Sequence, residues 1–97
     1  MMIHIDQEAY KWFETEFQMP KPYHIRLYPQ YAGMGTQHRG FSLAVALEQP
    51  TIAETEQTMD GITSYVESND AWFFDHTNVE IKLSRDNGEI VAEYQEV

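Results

Sequence analysis

Cysteine is absent from this 97-residue chain. Its absence excludes a disulfide frame, a thiolate zinc site, a thiolate-held iron–sulfur cluster and a cysteine nucleophile. It is compatible with a reducing compartment, and the cytoplasm is the expected location. Basic residues are scarce: 6 Lys and Arg stand against 16 Asp and Glu, a net charge of −10. That field opposes binding to nucleic acid through its phosphates and to an anionic membrane surface. It suits a soluble protein with a cationic partner or a loosely held divalent metal. Long apolar runs are lacking as well. None approaches the roughly 18 residues of a membrane span. The opening MMIHIDQE has neither a basic region nor an apolar run, so it does not read as a signal peptide. Repeats, low-complexity tracts and linkers are missing, so residues 1–97 are expected to form a single domain. A hydrophobic share of 42% is enough for one core.

What is present is ordered by period. Met2–Ile5 reads as a short strand. Asp6 then reads as a helix N-cap, with Ile5 and Tyr10 at the spacing of a hydrophobic staple. The helix is expected from Gln7 to about Gln18, with Ala9, Trp12, Phe13 and Phe17 as its buried stripe. Pro20 and Pro22 prevent its continuation. From Tyr23 the period becomes two. Tyr23, Ile25, Leu27 and Tyr31 alternate with His24, Arg26, Tyr28 and Gln30, and Pro29 places this strand at an edge or a bulge. Phe41–Leu47 alternates likewise, and its alanines suggest close packing on the second face. Thr51–Asp60 is polar and acidic with no period and reads as a loop, in which Glu54, Glu56 and Asp60 could catch a cation. Ile62–Glu67 is a strand, Ser68–Asp70 a turn, and Ala71–Phe74 an aromatic knot that plugs one end of the core. Val79–Leu83 and Glu89–Tyr94 form a hairpin around Asn87-Gly88. The sum is a mainly β (α+β) protein with one N-terminal amphipathic helix and five or six strands.

No complete catalytic motif is present. Gly40-Phe41-Ser42-Leu43-Ala44 approximates a nucleophile elbow, but a strand follows Ser42 where a helix is required. A small hydrolase built on Ser42 is therefore a distant alternative. Gly35-x4-Gly40 lacks the lysine of a phosphate loop. With thiolates excluded, a metal would need imidazole and carboxylate. The candidate set is His38 with Asp75 and His76, none of which has a known ligand spacing. Arg26 and Arg39, rare cations in an acidic chain, are expected to pair with carboxylates.

Three stretches together carry a family resemblance. They are IHIDQEAYKWFETEF, then IRLYPQYAGMGTQHRGFSLAVALEQP around a Tyr-x-Gly turn, then DGITSYVESNDAWFFDHTNVEIKL. In order and spacing they resemble the HesB-like (IscA-like) A-type iron–sulfur carrier domain, in its short, cysteine-poor HesB/YadR/YfhF branch. The resemblance spans nearly the whole chain. It implies a pseudo-barrel or sandwich of mixed strands with the N-terminal helix packed on it. Cluster-carrying members hold a cysteine in the glycine turn and a Cys-x-Cys in a C-terminal tail. Here the turn position falls at about Met34, and the chain ends Glu93-Tyr94-Gln95-Glu96-Val97 about where that tail would begin. The resemblance thus implies the fold without the cluster, so no cofactor is expected. The implied role is a non-catalytic module accessory to iron–sulfur assembly, working through a protein partner. The partner surface would be the glycine turn, with Tyr31, Met34, Gln37, His38 and Arg39, and with Tyr28 or Tyr31 as aromatic anchors. The second reading is a metal-binding or iron-delivery protein using His38, Asp75 and His76. Relatives form dimers or tetramers, so a homodimer through a short edge strand is also implied.

Overall fold

Asp6 shows how local chemistry starts the architecture. Its backbone N–H donates to the Ile81 carbonyl at 3.0 Å, extending a strand ladder by one residue. Its carboxylate then accepts from the Glu8 N–H at 3.0 Å and begins a helix. The structure, a computed structural model, describes residues 2–31, 41–86 and 88–96, with backbone alone at 31, 41 and 42. The elements are β1 (Met2–Ile5), α1 (Gln7–Phe17), β2 (Tyr23–Tyr31), β3 (Phe41–Leu47), β4 (Ala53–Met59), β5 (Ile62–Glu67), a 3₁₀ segment (Ser68–Phe74), β6 (Thr77–Leu83) and β7 (Ile90–Glu96). They divide between two compact units, Met1–Met19 with Phe74–Val97, and Pro20–Phe73.

The first unit holds α1 and a three-stranded sheet in the order β1-β6-β7. β1 runs parallel to β6 from Met2↔Asn78 to Ile5↔Ile81, and β6 and β7 form an antiparallel hairpin. The hairpin turn is closed by Gly88 N–H to the Ser84 carbonyl at 3.0 Å, with Gly88 at φ +70°. Asn87, the other half of the turn signal, lies outside the described residues. On α1 the buried residues are Ala9, Tyr10 and Phe13, while Trp12 and Phe17 are half-buried. The expected stripe is therefore corrected at Phe17, the last residue of the helix, and at Trp12, which lies about 100° round the helix from Phe13 while Tyr10 takes the inner place. Ile5 and Tyr10 are both buried, as a staple requires. Gln18, in the left-handed region at φ 44°, ends the helix by donating its N–H to the Glu14 carbonyl.

The second unit holds a four-stranded sheet in the order β3-β2-β5-β4. β2 pairs in parallel with β5 over Tyr23–Arg26 and antiparallel with β3 over Ile25–Tyr31. Pro29 lies opposite Leu43, beyond the stretch that pairs with β5. Among the described residues the strand is internal at its start, and at its proline it pairs with β3 alone. The expected loop at Thr51–Asp60 is overturned. Ala53–Met59 is a strand, antiparallel to β5 with a register shift between Ala53 and Thr55. Asp60 and Gly61 form the two-residue turn at φ 52° and 83°, and Met59 pairs with Ile62. An exposed edge strand buries little on either side, so its alternation never reaches the composition. The aromatic knot is corrected in part. Phe73 and Phe74 are fully buried, but Trp72 is 44% exposed. Side chains in a 3₁₀ segment step by about 120°, so three consecutive aromatics cannot all face inward.

The result is a mixed α+β fold, mainly β, with seven strands in two sheets and one N-terminal helix among the described residues. It matches the class expected of a HesB-like pseudo-barrel or sandwich.

Candidate functional site

Most of the residues nominated from sequence lie at the central turn. Met34, Gln37, His38 and Arg39 fall outside the described residues, as do the side chains of Tyr31 and Ser42. Asp75 and His76 are both exposed, just beyond the 3₁₀ segment, with His76 at φ 55°. The Asp75 carbonyl accepts from the Thr77 hydroxyl at 3.0 Å. Among the described residues no three His, Asp or Glu side chains converge to hold a metal, and Glu54 with Glu56 and Asp60 form no such group. Tyr28 is half-buried, and the Arg26 guanidinium lies 5.1 Å from its ring centroid.

The structure instead assembles a polar cleft of about 280 Å³ in the second unit. Arg26, Glu48, Thr51, Ile52, Glu67, Ser68 and Asn69 line it. β2 brings Arg26 to its wall, β5 ends in Glu67, the 3₁₀ segment adds Ser68 and Asn69, and the segment after β3 supplies Glu48, Thr51 and Ile52. Arg26 donates from Nη2 to Asp70 at 2.7 Å, from Nε to the same oxygen at 3.2 Å, and from Nη1 to Glu48 at 2.8 Å. The hydrogen bond that Arg26 donates to Asp70 leads the causes that raise the Arg26 pKa. Pairing of Arg26 with carboxylates was the expectation, and it holds. Glu67, only 8% exposed, accepts the backbone N–H of Thr51 at 2.7 Å and of Ile52 at 3.3 Å. Its carboxylate therefore folds the chain that follows β3 back onto β5. The Tyr65 hydroxyl donates to the Glu48 carbonyl at 2.6 Å, and burial pushes its pKa up to about 12.

Arg26 is already held by two carboxylates, so it is not poised for an anion. Tyr65 stays protonated at neutral pH. The lining holds one guanidinium against the carboxylates of Glu48 and Glu67, and Asp70 also binds Arg26, which leaves the cleft negative and suited to a cationic group. Exposed apolar side chains lie in the same unit: Ile52 at 67% on the cleft, and Trp72 after it. Sequence reasoning found Arg26 but missed Glu67, Ile52 and Trp72. Nothing local marks Glu67, because its partners lie 15 and 16 residues away. Ile52 lay in a stretch read as a loop, and Trp72 in an aromatic run read as core.

The first unit carries a second, shallower cavity of about 530 Å³ on its sheet, lined by Met2, His4, Asn78, Glu80 and Glu93 among others. Lys82 spans the two glutamates there, at 2.6 Å from Glu93 and 3.5 Å from Glu80. It relieves two like charges placed directly opposite each other by the register Glu80↔Glu93.

No protein-family model matches the chain. It is 34% identical over 95 residues to the "Pyruvate dehydrogenase inhibitor" of Bacillus subtilis, covering 98% of this chain and all of that one. It is 26% identical over 87 residues to an uncharacterized protein of Staphylococcus saprophyticus, covering 87% and 89% of the two chains. Among solved structures it is similar to IscA with a [2Fe-2S] cluster, at a TM-score of 0.62 and 12% identity, over 98% of this chain and 85% of that one. It is also similar to Escherichia coli SufA, involved in biosynthesis of iron–sulfur clusters, at 0.59 and 18%, over 98% and 80%. At these identities the structural likeness establishes the fold alone.

Proposed function

This chain belongs to the family of the Bacillus subtilis pyruvate dehydrogenase inhibitor, and on that premise we propose that it inhibits a pyruvate dehydrogenase by binding it. The observation that carries the reading is the end-to-end alignment at 34% identity, which covers the whole of the relative. A likeness of that extent runs the length of the chain and is not one borrowed motif. The site chemistry supports the same reading. A negative cleft beside exposed Ile52, with exposed Trp72 in the same unit, offers charge and apolar anchors for a protein partner. The cysteine-free sequence on a carrier-like fold supports a frame kept without its cluster. The setting is read as the cytoplasm.

The test is direct. The purified chain is titrated into a bacterial pyruvate dehydrogenase complex while pyruvate-dependent NADH formation is followed. The expected result is a saturable fall in rate together with co-elution on size exclusion. An unchanged rate at large molar excess would refute the reading.

The likeness to IscA and SufA supports a second reading, an accessory to iron–sulfur assembly that works through a protein partner. It rests on fold alone. It predicts binding to a carrier or scaffold protein, with no effect on pyruvate oxidation.

A further inference from the structure

We propose that the free edge of β3 is a docking site for an extended, basic segment of a partner protein, which adds to the sheet as a further strand. The inference deepens the inhibitory reading and rests on it only for which protein carries the segment.

A sheet edge presents unpaired N–H and C=O groups, and soluble proteins blunt it with charge, bulges or brevity. The two sheets here end in β1, β7, β3 and β4. β1 is four residues long. β4 carries Glu54 and Glu56 and breaks register between Ala53 and Thr55. β7 carries Glu93 and Glu96. β3, Phe41-Ser42-Leu43-Ala44-Val45-Ala46-Leu47, has no charge, no proline and no glycine. It keeps an unbroken register with β2 along its length. Among the described residues no strand pairs with its outer side.

Burial falls off abruptly across this strand. Ile25 and Leu27 of β2 are 0% and 1% exposed, yet their cross-strand partners Leu47 and Val45 are exposed at 39% and half-buried. Leu43, Ala44 and Ala46 are half-buried too. One more strand, about 4.8 Å further out, would cover this row and satisfy the edge.

Charge selects the occupant. Glu48 follows β3 directly, with its side chain 49% exposed, and borders the negative cleft. The chain carries −10 overall, so a second copy would set like charges against each other. The fitting segment alternates apolar residues along Leu43, Val45 and Leu47 and places basic residues toward Glu48.

Hydrogen exchange on the full chain tests this. The chain is measured alone, with the peptide Lys-Val-Thr-Val-Lys-Val-Lys, with its counterpart bearing Glu for each Lys, and with a pyruvate dehydrogenase complex. The basic peptide should slow exchange at Leu43–Leu47 and bind about tenfold tighter than the acidic one. Ala44→Lys should weaken basic-peptide binding and Ala44→Glu should strengthen it, opposite signs that a folding defect cannot produce. Equal protection by both peptides, or no protection at these amides, overturns the proposal. So does slow exchange in the free chain that speeds up on dilution, which would assign the edge to a second copy. The enzyme arm reads separately. A complex that protects other amides leaves inhibition standing and sinks the edge. A complex that does not bind sinks the inhibitory reading, and the peptide arm still decides the edge.

Discussion

Arg26 is gripped by two carboxylates that are not equivalent. The Asp70 side chain is 14% exposed and takes two donors, whereas Glu48 is 49% exposed and takes one. Removing the buried partner leaves a poorly solvated guanidinium, while removing the exposed one leaves water in its place. Asp70→Ala should therefore cost about 2 kcal/mol in urea unfolding and Glu48→Ala under about 1. Equal losses would contradict the geometry. Tyr65, 1% exposed, gives a prediction in pH. Its pKa is raised from 10.0 to about 12, first by burial and then by the field of Glu48 and Glu67. The unfolded chain therefore releases this proton before the folded one does. The contribution is complete below pH 10 and is lost as pH rises toward 12, at about 1.4 kcal/mol per pH unit. Tyr65→Phe should flatten that decline in a stability–pH series. It should also cost about 1 kcal/mol at neutral pH for the bond to the Glu48 carbonyl.

At the scale of elements, two boundaries are set by single residues. Asp6 satisfies the first turn of α1, so Asp6→Ala should lose about 1 kcal/mol of stability. The β4–β5 turn depends on Gly61. Its φ of 83° is strained for any side chain, and an added Cβ would meet the Lys21 Cβ at 3.1 Å. Gly61→Ala should cost about 1–2 kcal/mol, read as a fall in Tm of about 4–8 °C per kcal/mol. A change of under a degree would mean the turn relaxes to another form. Asp60-Gly61 is a dipeptide of the hairpin type, which the reading of Thr51–Asp60 as a loop passed over. Ala53–Met59 is too polar to read as a strand. That strand is held by pairing with β5, a partner that follows in the chain but is invisible to any period.

For the whole molecule, net charge and unity make the predictions. A charge of −10 repels itself in the compact state, so raising salt should raise Tm until the field is screened. A monotonic fall would point instead to ion pairs such as Arg26–Asp70 dominating. The reading of residues 1–97 as one domain predicts a single cooperative transition in denaturant. Two transitions, dividing Pro20–Phe73 from the rest, would overturn it.

The sequence by itself determined the fold class, the helix and its N-cap, six of the seven strands, and the absence of thiolate ligands. Each of these is a local pattern or a composition, so neighbours in the chain suffice to state it. Only the tertiary structure decided the rest. It made Thr51–Asp60 mostly a strand, turned Trp72 outward, joined Glu67 to Thr51 and Ile52, and set β3 at the end of its sheet among the described residues. Those outcomes depend on which distant segment arrives alongside, and burial and pairing across tens of residues leave no period in the chain that makes them.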